Sequence, residues 1–155
     1  MPTQKQITSL IKAAKPSVDL VIVSYHWGKE YMYQPNNLQV KRGHTAIDAG
    51  ADLVIGHHPH CIESVEKYKG KWIVYSLGNF VFDQDFTKGT ESLLFSCTLK
   101  KGAVENLSFQ PIKINNCQPS IATGEDRDSI TAKFTRICSE KGVKVTNSNG
   151  HLYLK

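Results

Sequence analysis

ADLVIGHHPH, residues 51–60, joins a short aliphatic run to three histidines placed within four positions. A run this short, closed by Gly56, reads as a strand buried on both faces, the habit of strands in a parallel sheet. Gly56 lets the backbone bend tightly at the strand end and Pro59 stiffens the turn, so imidazoles at His57, His58 and His60 are aimed with little slack. Open α/β sheets put their sites beyond the carboxyl ends of strands, which is where these histidines fall. Upstream, DLVIVSY (residues 19–25) is a second buried-strand run, and His26 follows it directly. Two strand ends delivering histidines to one sheet edge make a convergent cluster, and neutral imidazole is a good ligand for Zn, Mn, Fe or Ni.

Working outward, Ile7, Leu10, Ile11 and Ala14 recur at helical spacing over residues 4–15, with Pro16 closing the helix. Residues 36–50, with Leu38, Val40, Ala46, Ile47 and Ala49, read as a second helix ending at Gly50. Helix–strand–helix–strand with continuous apolar strands is the α/β pattern, so the two strands should be neighbours or near neighbours. Beyond residue 60 the pattern becomes antiparallel. CIESVEKY and WIVYSL flank Lys69-Gly70-Lys71, and SLLFSCTLK and AVENLSFQPIKI flank Lys101-Gly102, as two hairpins. A helix over 126–141 buries Ile130, Phe134, Ile137 and Cys138, and Asn149-Gly150 turns a last hairpin. Pro111 and Pro119 bracket a joint, giving a main unit over 1–115 and a helix-plus-hairpin extension over 119–155.

The chain has 155 residues, 40% hydrophobic and 21% charged, which suits one soluble globular unit. No run reaches the roughly 18 apolar residues of a membrane span, and residues 1–15 lack a signal-peptide pattern. The net charge of +5 is dispersed over turns and element ends, which argues for solvated surface and against a nucleic-acid stripe. Cys61, Cys97, Cys117 and Cys138 form no C-x-x-C pair, so free thiols are expected, with Cys97 and Cys138 acting as small buried hydrophobes. His44, on a polar helix, and His151, beside a turn, are read as surface residues. Glu30 is the best-placed carboxylate near the cluster, read either as orienting a ligand imidazole or contacting substrate or as a solvated loop residue, and Trp27 and Tyr31 are read as packing under the loop in preference to walling the pocket.

The strings VIVSYHWGKEY (21–31), ADLVIGHHPHCIESVEKY (51–68) and WIVYSLGNFVFDQ (72–84) together resemble the CapA family of capsule and poly-γ-glutamate synthesis proteins. That family is similar to the calcineurin-like metallophosphoesterases. The resemblance covers about residues 5–115 and implies an α/β (α+β) fold: part of a four-layer α-β-β-α metallophosphatase-like sandwich, with the small extension behind it. It implies metal ligation by His26, His57 and His60 and puts Asn79 in the turn behind the site; by the residue reading alone, His57 and His60 can reach one ion while His58 points elsewhere, which leaves His58, like Glu30, to orient ligands or touch substrate. The implied cofactor is divalent Zn, Mn or Fe, two ions in the intact family site and at most one here. The family's early motifs, an Asp, a Glu and an Asn-His pair, have no counterpart in this chain. Asp19 and Asp52 are no substitutes, since each opens a strand at the far edge. The expectation is therefore the later half of a metal-dependent hydrolase domain, weakly active or inactive alone, with one sheet edge left open. Its implied substrate is an anionic poly-γ-glutamate or phosphoester, and its partners are a complementary N-terminal half or other capsule-synthesis proteins. The alternative is a non-catalytic module that binds metal or a polyanion. Where intact members reside is left open, since export or membrane association is compatible with the resemblance.

Overall fold

The computed structural model describes residues 3–155. Helix α1 (Gln4–Ala14) is capped by a reciprocal Thr3–Gln6 box and buries Ile7 and Ile11. It runs into a short 3-10 turn, Lys15–Ser17, that accommodates Pro16. Strand β1 (Ile22–His26), helix α2 (Asn37–Ala49) and strand β2 (Leu53–His57) then form a parallel β-α-β unit. A second capping box, Asn36–Gln39, starts α2, and Gly50 stops it at φ 113°, a conformation that favours glycine. The hairpin of β3 (Val65–Tyr68) and β4 (Lys71–Val74) follows, with β4 lying parallel to β2. The first sheet therefore runs β1-β2-β4-β3.

Short helix α3 (Thr87–Thr90) leads into β5 (Glu91–Lys100) and β6 (Ala103–Asn115). Then come β7 (Gln118–Ile121), α4 (Gly124–Ser139), β8 (Val145–Ser148) and β9 (His151–Leu154). The second sheet is antiparallel, ordered β5-β6-β9-β8, with β7 also on β6. The segment after Pro119 thus shares a sheet with what precedes it. The α4 residues Ile130, Phe134, Ile137 and Cys138 share a core with Val65 and Val74 of the first sheet and Phe109 and Leu152 of the second. A separate core, Ile7, Ile11, Trp27, Ala46, Val54, Ile73 and Tyr75, glues α1 and α2 to the other face of the first sheet. Each Val, Leu, Ile or Phe side chain among them, fully buried, contributes on the order of 1.5–3 kcal/mol. The fold is mixed α/β, with two sheets and four α-helices among the described residues. None of these helices is long and apolar enough to cross a membrane.

One expectation changes. β1, read as buried on both faces, alternates exposed and half-buried, and Ile22 is 43% exposed. The cause is position: β1 is the edge strand, hydrogen-bonded to β2 alone. β2, flanked on both sides, buries Leu53, Val54 and Gly56, with Ile55 half-buried and His57 exposed at its end. At the start of β2, opposite the histidines, the buried Asp52 carboxylate accepts from Lys15 Nζ (2.5 Å), Lys71 Nζ (2.9 Å) and Val21 N (2.9 Å). Burial alone would raise its pKa, and these donors outweigh that and hold it below the ordinary value.

Candidate metal centre

β1 and β2 are in register, so they end side by side with His26 opposite His57. Two loops leave these ends and are tied together at once. Trp27 N donates to His57 O (3.0 Å), and Tyr31 N donates to Pro59 O (2.8 Å). The fully buried Trp27 indole donates to Tyr75 O (2.9 Å) and stacks on Tyr25 at 4.4 Å between ring centroids. Gly56 is needed for this packing, not for a bend. A Cβ there would stand 2.0 Å from Tyr75 O and 2.2 Å from the Trp27 indole nitrogen.

The turn itself is strained. His58 has φ 99° and His60 φ 57°, left-handed conformations that cost a non-glycine residue on the order of 1–3 kcal/mol and persist only where the surroundings enforce them. The surroundings here are specific. His60 Nδ1 lies 2.8 Å from Asn79 Oδ1. The Asn79 amide nitrogen donates to Gly89 O and Gln84 Oε1, both at 3.0 Å. Its amide oxygen is therefore the acceptor, Nδ1 of His60 carries the proton, and Nε2 keeps a free lone pair for a ligand. Tyr31 and Phe82 flank the His60 ring at 6.1 and 5.0 Å, and Phe86 meets Tyr31 edge-on at 5.0 Å.

Among the described residues, one group has donor atoms all within 4.8 Å of one another: Glu30, His58 and His60. Glu30 is exposed and the two histidines are partly buried. His26 stands against this group, its ring 4.7 Å from that of His58, whose ring is 5.8 Å from that of His60. His57, paired with His26 across the strands, lines a groove of about 320 Å³ with Ser24, Ile55, Asn79 and residues 92–95. Burial first, and His26 second, hold the His57 pKa below the ordinary histidine value, which favours the neutral, ligating form. Of the six residues singled out from sequence, the structure brings Glu30, His58 and His60 within reach of one another, sets His26 against His58, ties Asn79 to His60, and pairs His57 with His26 at the end of β2. Two nitrogens and one carboxylate oxygen at this spacing suit a divalent ion such as Zn, Mn or Fe.

The other two histidines pair elsewhere. His44 stacks on Tyr68 at 3.7 Å and meets Glu66 at 2.9 Å, and His151 lies by Tyr153. Burial pushes the Cys61 and Cys138 thiols up to about 12, so neither offers a thiolate at neutral pH. Sequence reasoning missed the buried pair Gln39 and Glu63 behind the loops, since nothing local distinguishes them from solvated polar residues.

Residues 2–84, which contain both histidine loops and Asn79, match the family of the bacterial capsule synthesis protein PGA_cap. The chain is 44% identical over 111 residues to a PGA biosynthesis protein CapA of Bacillus subtilis (strain 168), covering 72% of this chain and 29% of that protein. It is 36% identical over 152 residues to a capsule biosynthesis protein CapA of Bacillus anthracis, covering 97% and 37%. A probable polyglutamine synthesis accessory protein of Mycobacterium tuberculosis is 29% identical over 154 residues, covering 94% and 40%. The chain therefore spans 29 to 40% of the length of these relatives. With its histidine loops inside the matched segment, the chain belongs to the bacterial capsule synthesis protein family PGA_cap.

Proposed function

We propose that this chain carries the histidine side of a divalent-metal hydrolase centre that acts in capsule or poly-γ-glutamate synthesis. The observation that carries this is the Glu30–His58–His60 group, with His60 aimed by Asn79. Two ligand sets share His60: His26, His57 and His60 from the family pattern, and Glu30, His58 and His60 from the distances. The distances favour the second set for a single ion, with His26 and His57 beside it. A bound ion would supply Lewis acidity toward an anionic oxygen of the substrate. The rest falls to side chains. Asn79 keeps Nε2 of His60 available, Glu30 contributes the one carboxylate, and Tyr31, Phe82 and Phe86 wall the site. The substrate class is a polyanion, poly-γ-glutamate or a phosphoester.

The edges β1 and β5 and the groove between them leave Ile22, Ser24, Ile55 and Leu94 without cover equal to that of the core. A polypeptide segment adding strands there would bury them and bring further oxygen ligands to His57 and His26. The longer relatives contain enough additional sequence for such a segment. A second reading, a metal- or polyanion-binding accessory module without turnover, is favoured by the single carboxylate in the donor set. Hydrolysis of poly-γ-glutamate and of a chromogenic phosphodiester is measured with excess Zn or Mn. The hydrolase reading expects turnover that His60→Ala abolishes, at the least when the Bacillus anthracis relative's remaining polypeptide is added. Metal binding without turnover in either condition leaves the accessory reading.

A further inference from the structure

Behind the two histidine loops lies a buried polar pair that serves neither strand pairing nor solvation. Gln39, the third residue of α2, is 2% exposed, and Glu63, three residues past His60, is fully buried. Gln39 Nε2 donates to Glu63 Oε2 (2.7 Å), and its Oε1 accepts from Asn36 N (2.9 Å), closing the helix cap. The same amide packs onto Gly28, two residues past His26. A Cβ on Gly28 would stand 2.6 Å from Nε2 and 3.0 Å from Oε1, and its φ of 97° also favours glycine. Glu63 is anchored through its backbone, N to Ser76 O at 3.1 Å, and its Oε1 has no protein partner.

One amide therefore touches three things at once: the start of α2, the turn that leads from His26 to Glu30, and the segment leaving His60. Burying these groups is costly unless they hold one another, so their geometry is narrowly set. We propose that the Gln39–Glu63 pair is a positioning device that sets the spacing between the loop bearing His26 and Glu30 and the loop bearing His58 and His60. It deepens the metal-site reading and stands on it. Groups that orient ligands from behind typically influence metal affinity about 10- to 100-fold.

The test is a Co(II) titration of the whole chain, read by visible absorption, which reports ligand geometry, with near-ultraviolet circular dichroism as a check on folding. Gln39→Ala should weaken Co(II) binding about 10- to 100-fold and alter the absorption bands. The exchange Gln39→Glu with Glu63→Gln keeps one amide–carboxyl hydrogen bond and the acceptor for Asn36 N, and should restore both. If Gln39→Ala does not fold, Gln39→Met, which keeps volume and helix propensity, carries the same expectation. Native affinity and spectrum in a folded Gln39 variant, or a folded exchange variant that restores neither, would overturn the positioning role while leaving the metal site intact. A native chain that binds no Co(II) would overturn the metal site and the positioning role together.

Discussion

Replacing Glu63 with Gln should flatten part of the pH dependence of stability. The carboxyl is fully buried with one oxygen unpartnered, and burial pushes its pKa from 4.5 up to about 7, the Gln39 amide offsetting only part of that. An acid whose folded pKa is raised favours folding in its protonated form. Its contribution is fully present below the unfolded value of 4.5 and is lost as pH rises through about 7. At 1.36 kcal/mol per pH unit, that gap is worth roughly 3 kcal/mol. Gln cannot ionise and still accepts from Gln39. Its own amide nitrogen, placed where Oε1 lacks a partner, adds a pH-independent cost of about 1–3 kcal/mol. The useful quantity is therefore the difference between the two proteins. Urea unfolding followed by tryptophan fluorescence, with Trp27 in the core as reporter, gives both curves from pH 4.5 to 8. The unfolding free energy of Glu63→Gln minus that of the native chain should climb by roughly 3 kcal/mol over that range. Every other titrating group cancels in the subtraction. Parallel curves would refute the reasoning, because they would mean that Glu63 ionises as freely in the folded chain as in the unfolded one.

The two ligand sets separate in calorimetry with Zn: His58→Ala and Glu30→Gln should weaken binding at least about 10-fold if the close group holds the ion, whereas His26→Ala and His57→Ala should do so if the family pattern does. His44→Ala and His151→Ala should leave the affinity unchanged in either case. Gly56→Ala should cost at least about 2 kcal/mol in thermal or urea unfolding, because its Cβ would meet the Tyr75 backbone oxygen at 2.0 Å, while Gly56 is held by its pairing with Tyr25 and that oxygen by the Trp27 indole. Ile22→Lys should reduce self-association in size-exclusion chromatography, since a charge on the open edge of β1 discourages edge-to-edge pairing.

Much of the frame was legible in short windows. Aliphatic runs at 21–25 and 51–56 have strand length, and the histidines that follow them are adjacent in the fold because parallel neighbours in register end together. Hairpins at Lys69-Gly70 and Asn149-Gly150 and the stop at Gly50 are equally local, each set by a left-handed residue. What escaped depends on strand order and on distant partners. An aliphatic run announces a strand but not whether it lies at the edge, so the exposure of Ile22 was invisible. His58 comes within reach of Glu30 with its backbone at a φ of 99°, a left-handed conformation that the string Gly56-His57-His58-Pro59-His60 does not announce.

The same distinction explains which parts of the centre the sequence displays. Donor residues sit in dense local motifs, because a turn of four residues can deliver two of them. The groups that aim them come from elsewhere in the chain: Asn79 stands 19 residues from His60, and Gln39 stands 24 from Glu63. Each of these polar side chains, taken alone, has the composition of a solvated surface. Burial gives them their role, and burial is a property of the packed sheets and α2 together. A donor set read from sequence therefore names the candidates for holding an ion. Which of them meet is a matter of distances in the folded chain, where Glu30, His58 and His60 come within 4.8 Å of one another.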